Sequence, residues 1–559
     1  MCGIAGILSF KTGDVSIERL KQMTDAIAHR GPDGEGQWVD AHNRIGLGHR
    51  RLSIIDLSNA GAQPMHYLDR YHISFNGEIY NYLELKQELI QQGHTFHTDT
   101  DTEVLLALFH RHGEACLNML DGMWAFAIWD EETQTLFCAR DRFGEKPFFY
   151  HLDSNRFCFA SEMKALWAID IPKVIDNQKM EAFVQEGTLY NSERLDTTFY
   201  HNIFKLEHSH WMKIDADGHV HTQRYYDIDW QKQDFKGTFE EATDIFRTLF
   251  VQGLKRRCRA DVPVGTSLSG GLDSSTIVCN MAQWTGQENL TPHTFSARFE
   301  GFKKDEGYYI EKVIEKTGVI PHYTWPNGEE MHRDFEKLCW HQEEPFGSAS
   351  IYAQYRVQQL AKENQVTVLI DGQGADEILA GYVFYYTQYL KTLHVQKYHR
   401  SDRLKEQNAY LDFHTPHRGI KKKAIQWTAF YDWRNGWHHQ KNKHTTRLNE
   451  MLYKDLMQGG LQELLRYADR NSMAHSREVR LPFLNHELID FCFSLPDSFK
   501  LKLGWTKYIM REAFKDILPH EVVWRKDKVG FEPPQNDWLI AFEGAQNWRT
   551  LMAKSYGNG

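Results

Sequence analysis

The sequence predicts two domains of different class, an α+β domain in the N-terminal half and an α/β domain in the C-terminal half. In the first half, short strand-like alternations such as residues 157–160 lie between two helical stretches. In the second half, apolar runs at residues 262–268 and 366–370 each lead into a glycine-containing loop and then a helical stretch. Such continuous apolar runs are typical of buried parallel strands. A chain of 559 residues is long enough for several domains with large cores.

Composition excludes several classes of protein. The hydrophobic fraction of 41% and charged fraction of 25% are ordinary for a soluble globular protein. A net charge of -10 gives no basic field, so we expect neither a nucleic-acid nor a membrane partner. We find no apolar run of bilayer length and no secretory signal. The eight cysteines lack paired Cys-x-x-Cys spacing, which argues against zinc and a disulfide framework and predicts a reducing cytoplasm.

Cys2 is the first candidate catalytic residue. We expect Met1 to be removed because the next side chain is small, which leaves Cys2 with a free α-amine. A thiol has a reference pKa near ~8.5 and an α-amine near ~7.7–8.0, so the amine can accept the thiol proton near neutral pH. Nucleophile and base then belong to one residue, as in N-terminal nucleophile enzymes. The alternative is a buried core cysteine near the start of a strand.

Two further N-terminal segments carry polar groups suited to binding an amide substrate. Asn76-Gly77 places an amide side chain beside a glycine N–H, and such donors can form an oxyanion hole. The alternative is an ordinary hairpin turn. The acids within residues 98–103 can hold a substrate ammonium, or they can simply occupy the first turn of a capped helix.

In the C-terminal half, the loop at residues 269–275 reads Ser-Gly-Gly-Leu-Asp-Ser-Ser between a strand and a helix. Glycines let backbone N–H groups approach an anion, and the helix N-terminus adds a positive dipole. The loop is not a Walker A sequence, because the lysine after the second glycine is absent. A second strand ends in the loop at residues 371–377.

The ordered N-terminal set resembles the glutaminase domain of class II glutamine amidotransferases, which implies a four-layer αββα N-terminal nucleophile sandwich. By this resemblance Cys2 attacks the glutamine side-chain amide, while Asn76 and the backbone of Gly77 stabilise the oxyanion. Arg51 is implied to hold the glutamine α-carboxylate, and Glu78 and Asp101 its α-amine.

The loop at residues 269–275 resembles the pyrophosphate loop of enzymes that split ATP into AMP and pyrophosphate. The residues that this resemblance assigns to ATP binding are Leu268, Ser269, Gly270, Gly271, Asp273, Ser274, Ser275 and Gly372. Asp273 and Asp376 are implied to bind Mg²⁺, a metal that favours carboxylate and phosphate oxygens. Lys507 is implied to stabilise charge on the phosphates.

Over nearly its whole length the chain resembles the glutamine-dependent asparagine synthetase family. The resemblance implies a glutaminase domain at residues 2–208, a connector at 209–238 and an ATP-pyrophosphatase domain at 239–559. It also implies ammonia transfer between two sites through an apolar channel, small-molecule substrates (glutamine, ATP and a carboxylate acceptor) and a homodimer. Shielding matters because free ammonia in neutral water is mostly ammonium and cannot attack.

One departure concerns the acceptor. Gln373 occupies a position where asparagine synthetases commonly carry a glutamate, and a carboxamide cannot serve as a base. We expect either that Glu343 or Glu344 compensates or that Gln373 is a tolerated lining residue, with L-aspartate as acceptor. Otherwise the acceptor is another carboxylate, such as a sugar uronate in surface-polysaccharide synthesis.

Other classes of function are weaker interpretations. A glutaminase subunit that feeds a partner would not need residues 269–275, Asp376 and Lys507, and a lactam-forming cyclase would not need Cys2. Two complete sets of catalytic residues also argue against a non-catalytic scaffold. The histidine- and lysine-containing segment at residues 387–446 matches no standard metal site, and we expect a solvated helical insertion or part of the acceptor pocket wall.

Overall fold

The structure is a computed structural model that describes residues 2–11, 14–284, 293–395, 400–414, 447–526, 530–542, 544 and 546–557. The N-terminal domain contains two six-stranded antiparallel sheets. Its strands are β1 (Gly3–Ser9), β2 (Gly34–Val39), β3 (Ile45–Arg51), β4 (Met65–Tyr67), β5 (Tyr71–Ile79), β6 (Gly122–Asp130), β7 (Thr135–Arg140), β8 (Phe149–Leu152), β9 (Arg156–Ala160), β10 (Phe204–Lys205), β11 (His210–Asp215) and β12 (Val220–Arg224). Its helices are α1 (Ile17–Ala26), α2 (Tyr82–Gln91), α3 (Asp101–His112), α4 (Met163–Trp167) and α5 (Asn177–Glu186).

The two sheets stack face to face between helical layers. The first sheet has the order β10-β8-β9-β1-β3-β2 and the second β12-β11-β7-β6-β5-β4. Buried side chains of both sheets, including Ile4 and Leu47 from one and Trp129 from the other, form one apolar cluster between them. Helices α1 and α4 pack on the first sheet and α3 on the second. The predicted αββα sandwich is therefore confirmed.

Part of the predicted connector belongs to this sandwich. Strand β11 pairs with β7 and with β12, so residues 210–224 extend the second sheet. The long α6 helix (Phe239–Arg257) follows, close to the helical run that the sequence predicts from Phe239 to Leu254. A capping box formed by Thr238 and Glu241 fixes where it begins.

The C-terminal domain contains a five-stranded sheet with the order β15-β14-β13-β16-β17. Its strands, all parallel, are β13 (Val264–Ser267), β14 (His293–Ala297), β15 (Ile320–Thr324), β16 (Val368–Ile370) and β17 (Glu478–Arg480). Both predicted apolar runs form central strands, β13 and β16, which pair directly. Their carboxyl ends meet at one edge, where ligands of open α/β sheets bind.

Helices surround this sheet. After α6 they are α7 (Leu272–Ala282), α8 (Gly307–Thr317), α9 (Gly328–Gln342), α10 (Ser350–Glu363), α11 (Ala375–Leu379), α12 (Val383–Val395), α13 (Arg400–His414), α14 (Arg447–Tyr453), α15 (Gly460–Met473), α16 (His486–Ser494), α17 (Asp497–Lys500), α18 (Tyr508–Phe514), α19 (His520–Val523), α20 (Gln535–Leu539) and α21 (Trp548–Gly557). The confirmed α/β fold thus carries many helical additions. Within the described ranges, no helix combines the length and apolar character needed to cross a membrane.

Candidate active sites

Cys2 lies at the start of β1, on the side of the sandwich that faces the C-terminal domain. The residue is 9% exposed, and burial raises the pKa of its thiol. The Cys2 backbone N donates to Asn76 Oδ1 at 2.9 Å, and its carbonyl oxygen accepts from Arg30 Nε at 3.0 Å. The residue is therefore held from both sides of its backbone, while its sulfur makes a long contact of 3.9 Å to the Leu52 carbonyl oxygen.

Asn76 has the orientation that an oxyanion donor needs. Because its Oδ1 accepts from Cys2, its Nδ2 points the other way, and this buried nitrogen has no hydrogen-bond partner among the described residues. A buried donor without a partner is costly unless a ligand supplies the acceptor. Gly77 follows on β5, where a Cβ atom would lie 2.2 Å from the Met123 carbonyl oxygen. Only glycine fits there, and the backbone can then approach the substrate closely.

The predicted glutamine-binding residues lie at the ends of β3 and β5 and at the start of α3. Arg51 donates from Nη1 to the Ser58 carbonyl oxygen at 2.6 Å. Asp101 accepts from the Ile79 backbone N at 2.8 Å, and burial raises the pKa of its carboxyl to about 6. Glu78 is 5% exposed, and burial also raises the pKa of its carboxyl.

The C-terminal domain reaches Glu78. The Glu78 Oε1 atom lies 3.5 Å from Nη2 of Arg480, a fully buried residue on β17. Arg480 also donates from Nε to Glu478 Oε1 at 2.5 Å. The first site is thus built against the second domain and not on an isolated surface.

A second site lies at the carboxyl ends of β13 and β16, in a cleft with a volume of about 330 Å³. The predicted ATP-binding residues that line it are Leu268, Ser269, Gly271, Asp273, Ser274 and Gly372. Gly270 and Ser275 are not among the lining residues, although both belong to the same loop and helix start. Gly270 adopts a φ of +74°, a left-handed conformation that favours glycine.

Lys507 brings the two loops of this cleft together. Its Nζ lies 2.6 Å from both carboxylate oxygens of Asp273 and 2.8 Å from Asp376 Oδ1. Burial alone would lower the pKa of this lysine, but the two carboxylates together raise it. Lys507 also has a φ of +51°, and such strain in a non-glycine residue is typical of functional sites. Three residues far apart in the sequence therefore converge in one cleft.

The same carboxylates fit a magnesium ion. In the structure the Lys507 ammonium is the cation between Asp273 and Asp376, so the two acids already face a shared position suited to positive charge. Oxygen ligands from one or two carboxylates, completed by phosphate and water, are what Mg²⁺ prefers. A Cβ atom on Gly381 would lie 1.7 Å from Asp376 Oδ1. Any larger residue at position 381 would therefore displace this carboxylate.

Gln373 lines this cleft, but Glu343 and Glu344 do not. The buried Oε1 of Gln373 has no hydrogen-bond partner in the described parts of the chain. Glu343 instead accepts from the backbone N atoms of Met163 and Lys164 at 3.0 and 2.7 Å, and Glu344 accepts from Phe199 N at 2.9 Å. Both glutamates are occupied at the domain interface. The expectation that either compensates for Gln373 is therefore wrong.

The sequence reasoning missed two sets of residues. Arg30 has no distinctive signal in the sequence, yet it is fully buried and contacts Cys2. Arg525 lines the cleft and donates to the Gly270 carbonyl oxygen at 3.2 Å. It belongs to a basic run at residues 525–528, which is a usable sequence signal for a phosphate site.

Of the segment 387–446, only parts of α12 and α13 are described, and Phe413 lines the cleft. The remaining residues of that segment, with most of its histidines, lie outside the described ranges.

The fold and the two sites define an N-terminal nucleophile domain joined to a nucleotide-binding parallel-sheet domain. A family model for the glutamine amidotransferase domain matches residues 1–226, and a model for asparagine synthase matches residues 246–555. The chain belongs to the glutamine-hydrolysing asparagine synthetase family. It is a glutamine-dependent ligase that forms a C–N bond.

Curated relatives match along most of the chain. Asparagine synthetase [glutamine-hydrolyzing] 1 of Bacillus subtilis is 33% identical over 96% of this chain and 88% of its own length. Putative asparagine synthetase [glutamine-hydrolyzing] 2 of Methanocaldococcus jannaschii is 39% identical over 70% of this chain and 77% of its own length. A Gibberella zeae protein named as an amidase is 26% identical over 96% of this chain and 90% of its own length.

Proposed function

We propose that the protein uses glutamine and ATP to amidate a carboxylate, releasing AMP and pyrophosphate, with L-aspartate as the acceptor and L-asparagine as the product. The observation that carries this proposal is the convergence of Asp273, Asp376 and Lys507 in one cleft of a chain that also carries Cys2 beside Asn76. The asparagine synthetase names of two relatives support aspartate as acceptor.

At the first site, the α-amine of processed Cys2 takes the thiol proton, and the sulfur attacks the side-chain amide carbon of glutamine. Asn76 Nδ2 and the Gly77 N–H are the donors that stabilise the resulting oxyanion. Ammonia leaves as the thioester forms, and water then releases glutamate. Since burial raises the pKa of the Cys2 thiol, proton removal by the adjacent amine is essential for this step.

At the second site, an oxygen of the acceptor carboxylate attacks the α-phosphorus of ATP and pyrophosphate leaves. Ammonia then attacks the acyl carbon, AMP leaves, and an amide results. Asp273 and Asp376 would hold Mg²⁺, which supplies charge neutralisation on the phosphates when bound. Lys507 supplies further positive charge, and the N-terminus of α7 directs backbone N–H groups toward the phosphates.

The alternative acceptor is a different carboxylate, such as a sugar uronate. Gln373 favours this alternative because it lines the cleft and cannot accept a proton. Relatives over almost the full chain also carry both synthetase and amidase names, so family membership leaves the acceptor open.

We also propose a glutaminase domain at residues 2–226 that is joined by 227–238 to the ATP-binding domain. The homodimer and the cytoplasmic location stay predictions.

The test is pyrophosphate release by the purified protein with ATP, Mg²⁺ and glutamine, with and without L-aspartate. We expect aspartate-dependent release with asparagine as product. The Cys2→Ala variant should lose release driven by glutamine and keep release driven by added ammonium salt. If glutamine is hydrolysed but aspartate has no effect, aspartate is not the acceptor, and a panel of uronic acids and their nucleotide-linked forms replaces it.

A further inference from the structure

Arg30 connects the predicted nucleophile to the other domain. Its Nε donates to the Cys2 carbonyl oxygen at 3.0 Å, while Nη1 and Nη2 donate to the two carboxylate oxygens of Asp469 at 2.8 and 2.9 Å. Arg30 is fully buried and Asp469 is 3% exposed. Asp469 belongs to α15 of the C-terminal domain, 439 positions along the chain from its partner.

The geometry makes Asp469 the group that orients this guanidinium. When two of its nitrogens bind one carboxylate, a planar guanidinium is fixed both in position and in the direction in which its remaining N–H groups point. The other carboxylate on Arg30, that of Glu162, contacts only Nη1, at 2.8 Å, and therefore does not define the orientation of the plane. With the Asp469 contact in place, Nε points at the Cys2 carbonyl oxygen.

The pair stays charged at any working pH. Burial would raise the pKa of the Asp469 carboxyl, but Arg30 holds it below its usual range. The contact to the Cys2 carbonyl oxygen is also independent of whether Met1 is present, because processing changes the amine and not the carbonyl. The Arg30–Asp469 ion pair is therefore a constant contact between the domains, and it does not respond to pH.

We propose that Asp469 is a positioning residue for the glutaminase reaction: through Arg30, the ATP-binding domain holds Cys2 in its attacking position. This inference rests on the proposed function. A misplacement of about 1 Å in a reacting group can cost on the order of 10²-fold in rate. The inference means that the N-terminal domain alone carries every reacting group yet is a poor glutaminase.

The test compares Asp469→Asn with a matched control, Glu84→Gln. Glu84 also forms a bidentate pair across the domain interface, accepting from Arg259 at 2.7 and 2.8 Å, but neither residue contacts Cys2. We expect Asp469→Asn to lower the kcat for glutamine hydrolysis by about tenfold or more and to change KM by less than about twofold. Release of pyrophosphate driven by ammonium should stay within about twofold of the parent, and Glu84→Gln should leave both activities unchanged.

The rate at which iodoacetamide alkylates Cys2 gives a second measurement, and we expect Asp469→Asn to change it while Glu84→Gln does not. Unchanged glutaminase kcat in Asp469→Asn would overturn the inference. So would an equal loss of the ammonium-driven reaction, since that indicates a general folding role. Failure of the proposed function is distinct, because Cys2→Ala would then retain glutamine hydrolysis.

Discussion

At the scale of single residues, Glu145 presents an electrostatic problem. The residue is 4% exposed, and within the described ranges neither of its carboxyl oxygens has a hydrogen-bond partner. Burial raises its pKa to about 8, with the charge of Asp141 adding to the effect. A buried carboxyl without partners prefers its neutral form. The Glu145 carboxyl is therefore still protonated at neutral pH.

This predicts a pH-dependent stability. With an ordinary pKa near 4.5 in the unfolded chain and about 8 in the folded protein, the folded state holds the extra proton over that window. Stability from this group is present at low pH and is lost as pH rises toward 8. Glu145→Gln removes the titration, so its Tm relative to the parent should increase by several degrees from pH 5 to pH 8, as followed by thermal unfolding.

Glu84→Gln serves as the control for this series. The pKa of Glu84 is lowered, chiefly by its hydrogen bonds from Arg259, so it titrates below the window. Its Tm difference from the parent should stay flat from pH 5 to pH 8. A flat difference for Glu145→Gln as well would show that its carboxyl is ionised in the folded protein.

At the scale of elements, the loops after β13 and β16 meet through Lys507, and Gly381 follows the end of α11 beside their contact. The Gly381 backbone N donates to the Asp376 carbonyl oxygen at 2.9 Å, and the Asp376 carboxylate folds back over the same glycine. A Cβ atom at Gly381 would lie 1.7 Å from Asp376 Oδ1 and 2.2 Å from Lys507 Cε. An alanine there must displace one of these two groups.

Gly381→Ala should therefore reduce pyrophosphate release at least about tenfold, by disturbing groups that must be placed within a fraction of an ångström. Glutaminase activity should be largely kept, since Gly381 lines the ATP cleft and its nearest neighbours are Asp376 and Lys507. The matched control is Gly460→Ala, where a Cβ atom meets nothing within 4 Å and φ is not positive. Equal pyrophosphate release by both variants would contradict the tight packing of Asp376 against Lys507.

The sequence predicts an element when the burial of its side chains produces a recognisable pattern of apolar residues. Strands β13 and β16 are buried on both faces and were found as apolar runs. Strand β12 is exposed at every residue and lacks a hydrophobic pattern, so the sequence places its segment in the connector. Glu343 and Asp469 were not foreseen as interface residues, because their partners lie 127 or more positions away. A single sequence has no signal for such pairs.

At the scale of the whole molecule, the two domains share one core. A single cluster of buried apolar residues includes Ala5 and Phe143 from the first domain and Phe346 and Tyr355 from the second. Buried charges cross the same interface: Arg470 lies 3.1 Å from Glu162, and Glu343 accepts from the backbone N atoms of Met163 and Lys164. Separating the domains would expose both the apolar surface and these paired charges, and each loss destabilises the parts.

This continuity predicts that the C-terminal domain does not fold alone. A fragment of residues 239–559 leaves Asp469 without Arg30 and exposes the apolar face that packs on the sandwich. We expect it to be insoluble or to lack the cooperative unfolding of the full chain, and to release no pyrophosphate even with ammonium. Co-expression with residues 2–238 should restore a soluble complex. A soluble fragment 239–559 that releases pyrophosphate with ammonium at the rate of the full chain would contradict the shared core, and it would mean that the interface serves the glutaminase site alone.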